Sequence, residues 1–212
     1  MRLSLREKAI IYGTVLGDGY IQKTGEKNSR LRLEHSFKQK NYLLWKTREL
    51  PTLFLGRPKF LSRIHPISGK RYEYARHQSN SSPFLGKLQK VFYPNGRKAI
   101  PSDLGKFIRH PLSLAVWYMD NGYYSRKEDD KTAYLYLGKV TEREAKTVQK
   151  TLEENFSLKT SVVDKKLKGM ALRFFAEDSR RLADLIKPYI LSEFFYKLPD
   201  PVTTCPRRDR VR

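Results

Sequence analysis

The sequence predicts an α+β protein made of two copies of one unit within a single chain of 212 residues. Two observations predict it. "VLGDGYI" (Val15 to Ile21) and "WYMDNGYY" (Trp117 to Tyr124) are apolar runs that each reach a polar residue and then a glycine, as a helix does when it ends. Around each of them the chain reads in the same order: helix, strand pair or hairpin, helix, hairpin, helix. An internal period of about one hundred residues is the main organisational feature, dividing the chain into residues 1–100 and 101–212.

In the first half, Ser4 to Leu16 carries apolar residues at helical spacing and reads as a helix capped by Gly19. "RLRLEHSF" alternates strictly, with Arg30, Arg32, Glu34 and Ser36 on a wet face and Leu31, Leu33, His35 and Phe37 on a buried one. "NYLLWKTREL" is helical. "RPKFLSRI" and "RYEYARHQ" form a hairpin through Ser68 and Gly69, "SPFLGKLQKVF" is a further helix, and "PNGRKAIPSD" is a turn-rich connector. In the second half, "PLSLAVWYMDNG" is a helix with Pro111 suited to its first turn. "TAYLYLG" alternates as a strand, and "TEREAKTVQKTLEENF" is a helix with Thr141 and Glu144 spaced as a capping box. "KTSVVD" and "GMALRFFA" pair as a hairpin through Lys168 and Gly169, "SRRLADLIKPYI" closes as a helix, and "RDRVR" is a loose basic tail.

Composition narrows the function. Lys and Arg number 43 against 22 Asp and Glu, a formal charge of +21, while aromatics make up 12% of the chain. A folding-competent chain this basic calls for a polyanionic partner, and nucleic acid is the first candidate. The first hundred residues hold 21 basic and 6 acidic residues and the remainder 22 and 16, so the two halves are expected to grip a polyanion unequally. No apolar stretch is long enough to span a bilayer. Arg6, Glu7 and Lys8 interrupt the N-terminal apolar run and Asp18 ends it, so no signal peptide is expected there, and the single Cys205 excludes an intrachain disulfide.

Aligning Gly19 with Gly122 superposes "IYGTVLGDGYI" on "LAVWYMDNGYY". A second pair of anchors lies downstream: Lys98 in "RKAIP" is 80 residues past Asp18, and Lys197 in "YKLPD" is 76 past Asn121. Gly13 and Gly17 lie one helical turn apart, a bare face that lets another helix approach backbone to backbone. Two such helices paired about a pseudo-twofold axis would bring positions 18 and 121 together, a place to hold divalent cations against phosphate oxygens.

With these motifs the sequence resembles the LAGLIDADG homing endonucleases, specifically the single-chain, two-repeat, intron-encoded type, over about residues 5 to 199. The resemblance implies two pseudo-symmetric αββαββα subdomains whose antiparallel sheets form a DNA-binding saddle in the major groove. It implies a monomer that hydrolyses phosphodiesters of a long, asymmetric duplex site with Mg²⁺ (or Mn²⁺). By position, the metal residues would be Asp18 with Gly17 and Asn121 with Asp120, and the catalytic set Asp18, Asn121, Lys98 and Lys197. Candidate DNA-binding residues are Lys23, Arg30, Arg32, Arg57, Lys59, Arg63, Arg71, Arg76, Tyr134, Tyr136 and Arg173, since Arg and Lys on a sheet can reach guanine edges.

The family pattern places an acid at position 121, and here it is asparagine. An amide oxygen is neutral and binds Mg²⁺ far more weakly than a carboxylate. Asp120 is no direct substitute, because one residue along a helix turns a side chain by about 100°. Three readings stand: an inactivated variant, an enzyme that cuts one strand faster than the other, or a descendant that binds without cutting. The last includes an intron RNA-splicing maturase and a DNA-binding regulator. Other features carry less. "GTVLGDG" does not fit a dinucleotide fingerprint; the four histidines lack metal-ligand spacing; "KEDDK" reads as a charged loop; "GRPKFLSR" reads equally well as a hairpin strand and as an RNA-binding segment; Trp45 and Trp117 read as core.

Overall fold

A computed structural model describes residues 3–127 and 130–199; the "RDRVR" tail, Cys205, and Glu128 and Asp129 of "KEDDK" lie outside the described residues. The first half runs α1 (Leu5–Leu16), β1 (Tyr20–Lys23), β2 (Ser29–Ser36), α2 (Lys40–Arg48), β3 (Lys59–Ile64), β4 (Arg71–Gln78) and α3 (Pro83–Phe92). The second runs α4 (Pro111–Asn121), β5 (Gly122–Tyr124), β6 (Ala133–Gly138), α5 (Glu142–Phe156), β7 (Thr160–Asp164), β8 (Met170–Phe174) and α6 (Ala176–Ile186). Each half is αββαββα. The two four-stranded antiparallel sheets have the same topology, β1-β2-β4-β3 and β5-β6-β8-β7.

Local chemistry accounts for the boundaries. Ser4 and Glu7 form a capping box that starts α1, and Thr141 with Glu144 form one that starts α5. Glu144 also accepts from the Ile100 backbone N–H at 2.9 Å, which ties α5 to the connector between the halves. The hairpins β3–β4 and β7–β8 turn at Gly69 and Gly169, both at positive φ (65° and 78°), where a side chain would be strained.

Two sequence expectations are corrected. The cap of α1 is Gly17 rather than Gly19, and its N–H bonds the Gly13 carbonyl at 2.9 Å. Neither Gly17, Gly19 nor Gly122 has positive φ, so these glycines are not the left-handed caps that the pattern suggests. They are required by space: a Cβ on Gly19 would lie 2.6 Å from the Thr14 carbonyl oxygen, and one on Gly122 2.4 Å from that of Tyr118. Phe37 is not on the buried face of β2. The strand ends at Ser36, and Phe37 opens a short 3₁₀ helix where it meets Phe60 edge-on, still partly exposed. Of the tryptophans, Trp117 is fully buried, and Trp45 is half-buried against the core.

The core is organised around α1 and α4. Every residue of α4 from Leu112 to Met119 is buried, as are Ala9, Ile10, Ile11, Gly13, Thr14, Val15 and Leu16 of α1. The two helices meet backbone to backbone, as the Gly13–Gly17 spacing predicts: a Cβ on Gly13 would sit 2.3 Å from the Ser113 carbonyl oxygen, closer than van der Waals contact permits.

Gly13→Ala forces the helices apart and is expected to cost at least about 1–3 kcal/mol of stability. Gly25→Ala, at a site with open space around it, serves as the control. A urea midpoint for Gly13→Ala equal to that of the control would show that the helices can separate without penalty.

Candidate active site

The ends of α1 and α4 come together where the sheets begin, and the first contact there is asymmetric. Gly17 and Asp120 occupy equivalent places in the two motifs. A Cβ on Gly17 would lie 2.2 Å from Asp120 Oδ2, so only one of these positions has room for a side chain. Asp120 fills the space, and its Oδ2 accepts the Asp18 backbone N–H at 3.0 Å.

Asp120 is also held from the first half. Lys46 of α2 donates to Asp120 Oδ1 and Oδ2 at 2.9 and 3.0 Å, and neither side chain is exposed to solvent. The ammonium lies 4.1 Å from the centre of the Tyr42 ring and 3.3 Å from His35 Nε2. Because an ammonium only donates, Nε2 must accept, and His35 is the neutral imidazole. Burial and the Lys46 charge push its pKa down to about 4. Asp18, His35 and Asp120 thus bring ligand-type atoms within 4.8 Å of one another, although histidine spacing in the sequence gave no sign of it. The Lys46 ammonium already sits between His35 and Asp120 and supplies the positive charge there.

Sequence reasoning missed Lys46. The available signal was its place on the apolar stripe of α2, one turn after Tyr42 and Leu43, which are themselves buried. A lysine on such a stripe requires a buried partner.

The two downstream lysines arrive at matching places. Lys98 Nζ donates to the Gly17 carbonyl, with Gly19 O at 3.5 Å. Lys197 Nζ donates to Met119 O at 2.6 Å and to Asp120 O at 3.3 Å. Lys197 ends a 3₁₀ helix (Ser192–Lys197) that is fixed by Tyr118 Oη on Lys197 O and by Arg126 on the carbonyls of Tyr196 and Leu198. Burial lowers the pKa of both lysines, that of Lys98 to about 8, against the pull of Asp18 and Asp120.

Asp18 keeps a solvent-facing surface. Protein packed around its carboxyl, together with the charge of Asp120, still holds its pKa above the ordinary value, while Lys46, Lys98 and Lys197 pull it back. Asn121 differs: its Oδ1 is buried and has no hydrogen-bond partner. It borders a cavity of about 340 Å³ shared with Gly17 and Lys98. The oxygen donors at these helix ends, namely the Asp18 carboxylate, the Gly17 and Asp120 carbonyls and the orphaned Asn121 amide oxygen, are the hard set that suits Mg²⁺ or Mn²⁺.

Strand register sorts the proposed DNA-binding residues. Lys59, Arg63 and Arg76 share one face of the first sheet with Arg30 and Arg32, opposite the buried Leu31 and Leu33. Lys23 and Arg71 do not share it: Lys23 pairs with buried Ser29 at a strand end, and Arg71 pairs with Ile64 at the hairpin tip. Arg57 is exposed in the loop before β3. In the second sheet Tyr134, Tyr136 and Arg173 share a face, but Tyr134 is 7% exposed because Asp130 and Lys165 cover it.

Two glycine-terminated helices packed against one another, with acids and lysines at their ends and two matching sheets beside them, are the architecture of the LAGLIDADG class of proteins. Residues 8–182 match the model of the LAGLIDADG DNA endonuclease family, and the chain belongs to that family. It is 28% identical over 194 residues to a cytochrome b mRNA maturase bI2 of Debaryomyces hansenii, covering 89% of this chain and 72% of that protein. It is also 28% identical over 199 residues to the Wickerhamomyces canadensis protein named "Probable intron-encoded endonuclease 1", covering 92% and 85%. The homing endonuclease I-WcaI, solved bound to its DNA recognition sequence, superposes with a TM-score of 0.85 at 26% identity, covering 95% of this chain and 89% of that one.

The buried pair makes a direct prediction. Lys46→Met or Asp120→Asn alone is expected to cost about 3–5 kcal/mol by stranding a charge, whereas Lys46→Met combined with Asp120→Asn costs clearly less than the sum. Urea unfolding of the four proteins in the cycle measures this. Additive losses would mean that the two groups do not pair in solution.

Proposed function

We propose that this chain is a site-specific, divalent-cation-dependent DNA endonuclease whose two strand-cutting centres are unequal. On this reading residues 1–100 and 101–212 are the two repeats, and the protein acts as a monomer on a long asymmetric duplex. The observation that carries it is the contrast at the helix ends: a carboxylate at Asp18, and at the equivalent position an Asn121 amide with an unsatisfied buried oxygen. The family membership and the likeness to I-WcaI support duplex DNA as the substrate.

Asp18 and the Gly17 carbonyl would hold one cation, and Asn121 with the Asp120 carbonyl would form a weaker second position. Bound there, the cation would supply charge for water attack and for the leaving oxygen. The protein's own contribution is positional. The α1–α4 contact fixes where Asp18 and Asn121 stand. Lys98 and Lys197, partly desolvated at the helix-end carbonyls, present N–H donors where a phosphate gains negative charge. The open sheet faces, through Arg30, Arg32, Lys59, Arg63, Arg76 and Arg173, place the duplex across these ends.

One finding favours a second reading. The maturase of Debaryomyces hansenii aligns with 89% of this chain, and a neutral residue at 121 suits a protein that binds intron RNA without cutting DNA.

The test begins with selection of a bound duplex from a randomised pool, followed by cleavage in Mg²⁺ with each strand labelled separately. The wild type is expected to cut one strand, and Asp18→Asn to abolish that cut. Asn121→Asp is expected to raise cleavage of the other strand by roughly two orders of magnitude with little change in DNA affinity. Equal cutting of both strands by the wild type would refute the asymmetry. Absence of any cutting, together with tight intron RNA binding, would favour the maturase.

A further inference from the structure

Glu34 lies in the middle of the first sheet's open face. By register that face carries Arg30, Arg32, Lys59, Arg63 and Arg76, and Glu34 is the only acid among its strand residues. Its carboxylate collects three guanidiniums from three strands. Arg32 and Arg76 each donate to Oε2 at 2.9 Å, and Arg63 donates to Oε1 at 3.2 Å. Arg63 and Arg76 also lie over the Tyr74 ring, 5.1 and 5.2 Å from its centre, and Arg76 bonds the Tyr74 hydroxyl at 3.3 Å.

The second sheet repeats the device with different residues. Asp130, just before β6, accepts from Arg173 at 3.0 Å and from Thr132 Oγ1 at 2.7 Å through Oδ1, and from Tyr134 Oη at 2.9 Å through Oδ2. Arg173 and Tyr134 are opposite one another in register, so Asp130 bridges the basic and aromatic groups of that face.

We propose that Glu34 and Asp130 are specificity-determining positioning residues that hold the DNA-facing arginines away from phosphates, so that only a matched sequence of base edges releases them. The physical argument is competition. A guanidinium in a charge-assisted bond to a carboxylate gains little by exchanging it for one phosphate oxygen, the contact that every DNA sequence offers. A guanine edge takes a guanidinium fork in a fixed orientation, and arginines already aligned by Glu34 and Tyr74 lose less freedom on meeting it. Each carboxylate also removes one positive charge from its sheet, which lowers sequence-independent attraction. Glu34 is well placed for this: although burial alone would raise its pKa, the bonds from Arg32 and Arg76 hold it below the ordinary glutamate value.

The inference rests on the DNA-binding reading above, and Glu34→Gln and Asp130→Asn test it independently. Fluorescence anisotropy would follow binding to a scrambled duplex and to the selected duplex between 50 and 300 mM salt, roughly the range over which counterion release is read. Each variant is expected to bind the scrambled duplex about tenfold more tightly at low salt, with a log–log salt slope steeper by about one. Affinity for the selected duplex changes less, so discrimination falls. Variants that bind the scrambled duplex no more tightly than the wild type does, or that gain equally on both duplexes, would overturn the inference while leaving the nuclease reading intact. A wild-type protein without salt-dependent duplex binding would overturn both. A thermal melt accompanies each variant, and unfolding of Glu34→Gln leaves Asp130→Asn to decide the matter by the same readout.

Discussion

The architecture depends on how closely α1 and α4 approach. Gly13 lets the Ser113 carbonyl reach the backbone of α1, and Gly17 leaves a hole that the Asp120 carboxylate fills. Positions 17 and 120 are equivalent in the two motifs, yet one is glycine and the other an aspartate that fills the space this leaves. Symmetry is broken at the axis itself. One helix gives up its side chain so that the other can insert a charge, and that charge needs a partner. Lys46 supplies it, fully buried, from a helix of the first half. A buried ion pair is weak evidence of net stability against a hydrophobic alternative, and its attested use is to specify one arrangement. Here the pair links α2 of the first half to the end of α4 in the second.

The same contact explains why Asp120 cannot take over from Asn121. The Asp120 side chain points inward to Lys46 and to the Asp18 N–H, with neither carboxylate oxygen free of the ammonium. Its backbone carbonyl faces Lys197 instead. Adjacent positions on one helix thus serve separate purposes: residue 120 holds the halves together, and residue 121 meets the cleft. The Asn121 side chain lines that cleft, and its amide oxygen is buried there without a hydrogen-bond partner.

Much of this was legible in the sequence. The repeat, the motif helices, the long hairpins and the downstream lysines follow from periodicity, glycine placement and spacing, and each was found where the pattern put it. Gly13 and Gly17 provide the close approach that their spacing predicts. The capping pattern at Gly19 and Gly122 points to dihedral freedom where space is the requirement, because a sequence shows that a side chain is missing and not which of the two demands it. Gly69 and Gly169 need positive φ; Gly17, Gly19 and Gly122 need room. The Asp120–Lys46–His35 cluster was not legible, because its members come from α4, α2 and β2 and meet only when both halves are docked. Lys23 and Arg71 were grouped with the other cations by charge alone, and strand register separates them, since a single step along a strand changes its face.

The halves also differ in how they meet a polyanion. The first sheet presents five cations with Glu34 among them; the second presents Tyr123 and Tyr136, with Tyr134 covered and Arg173 already engaged by Asp130. The sequence charge follows the same division, with most of the net excess in the first hundred residues. Long-range attraction therefore falls mainly on the first half, which also carries Asp18 and Lys98. Tyr123 and Tyr136 of the second sheet leave apolar ring and hydroxyl groups at the surface, which act only at contact range. The two sheet faces therefore differ in the range over which they can act: charge on the first reaches beyond contact, whereas the second offers mainly direct packing.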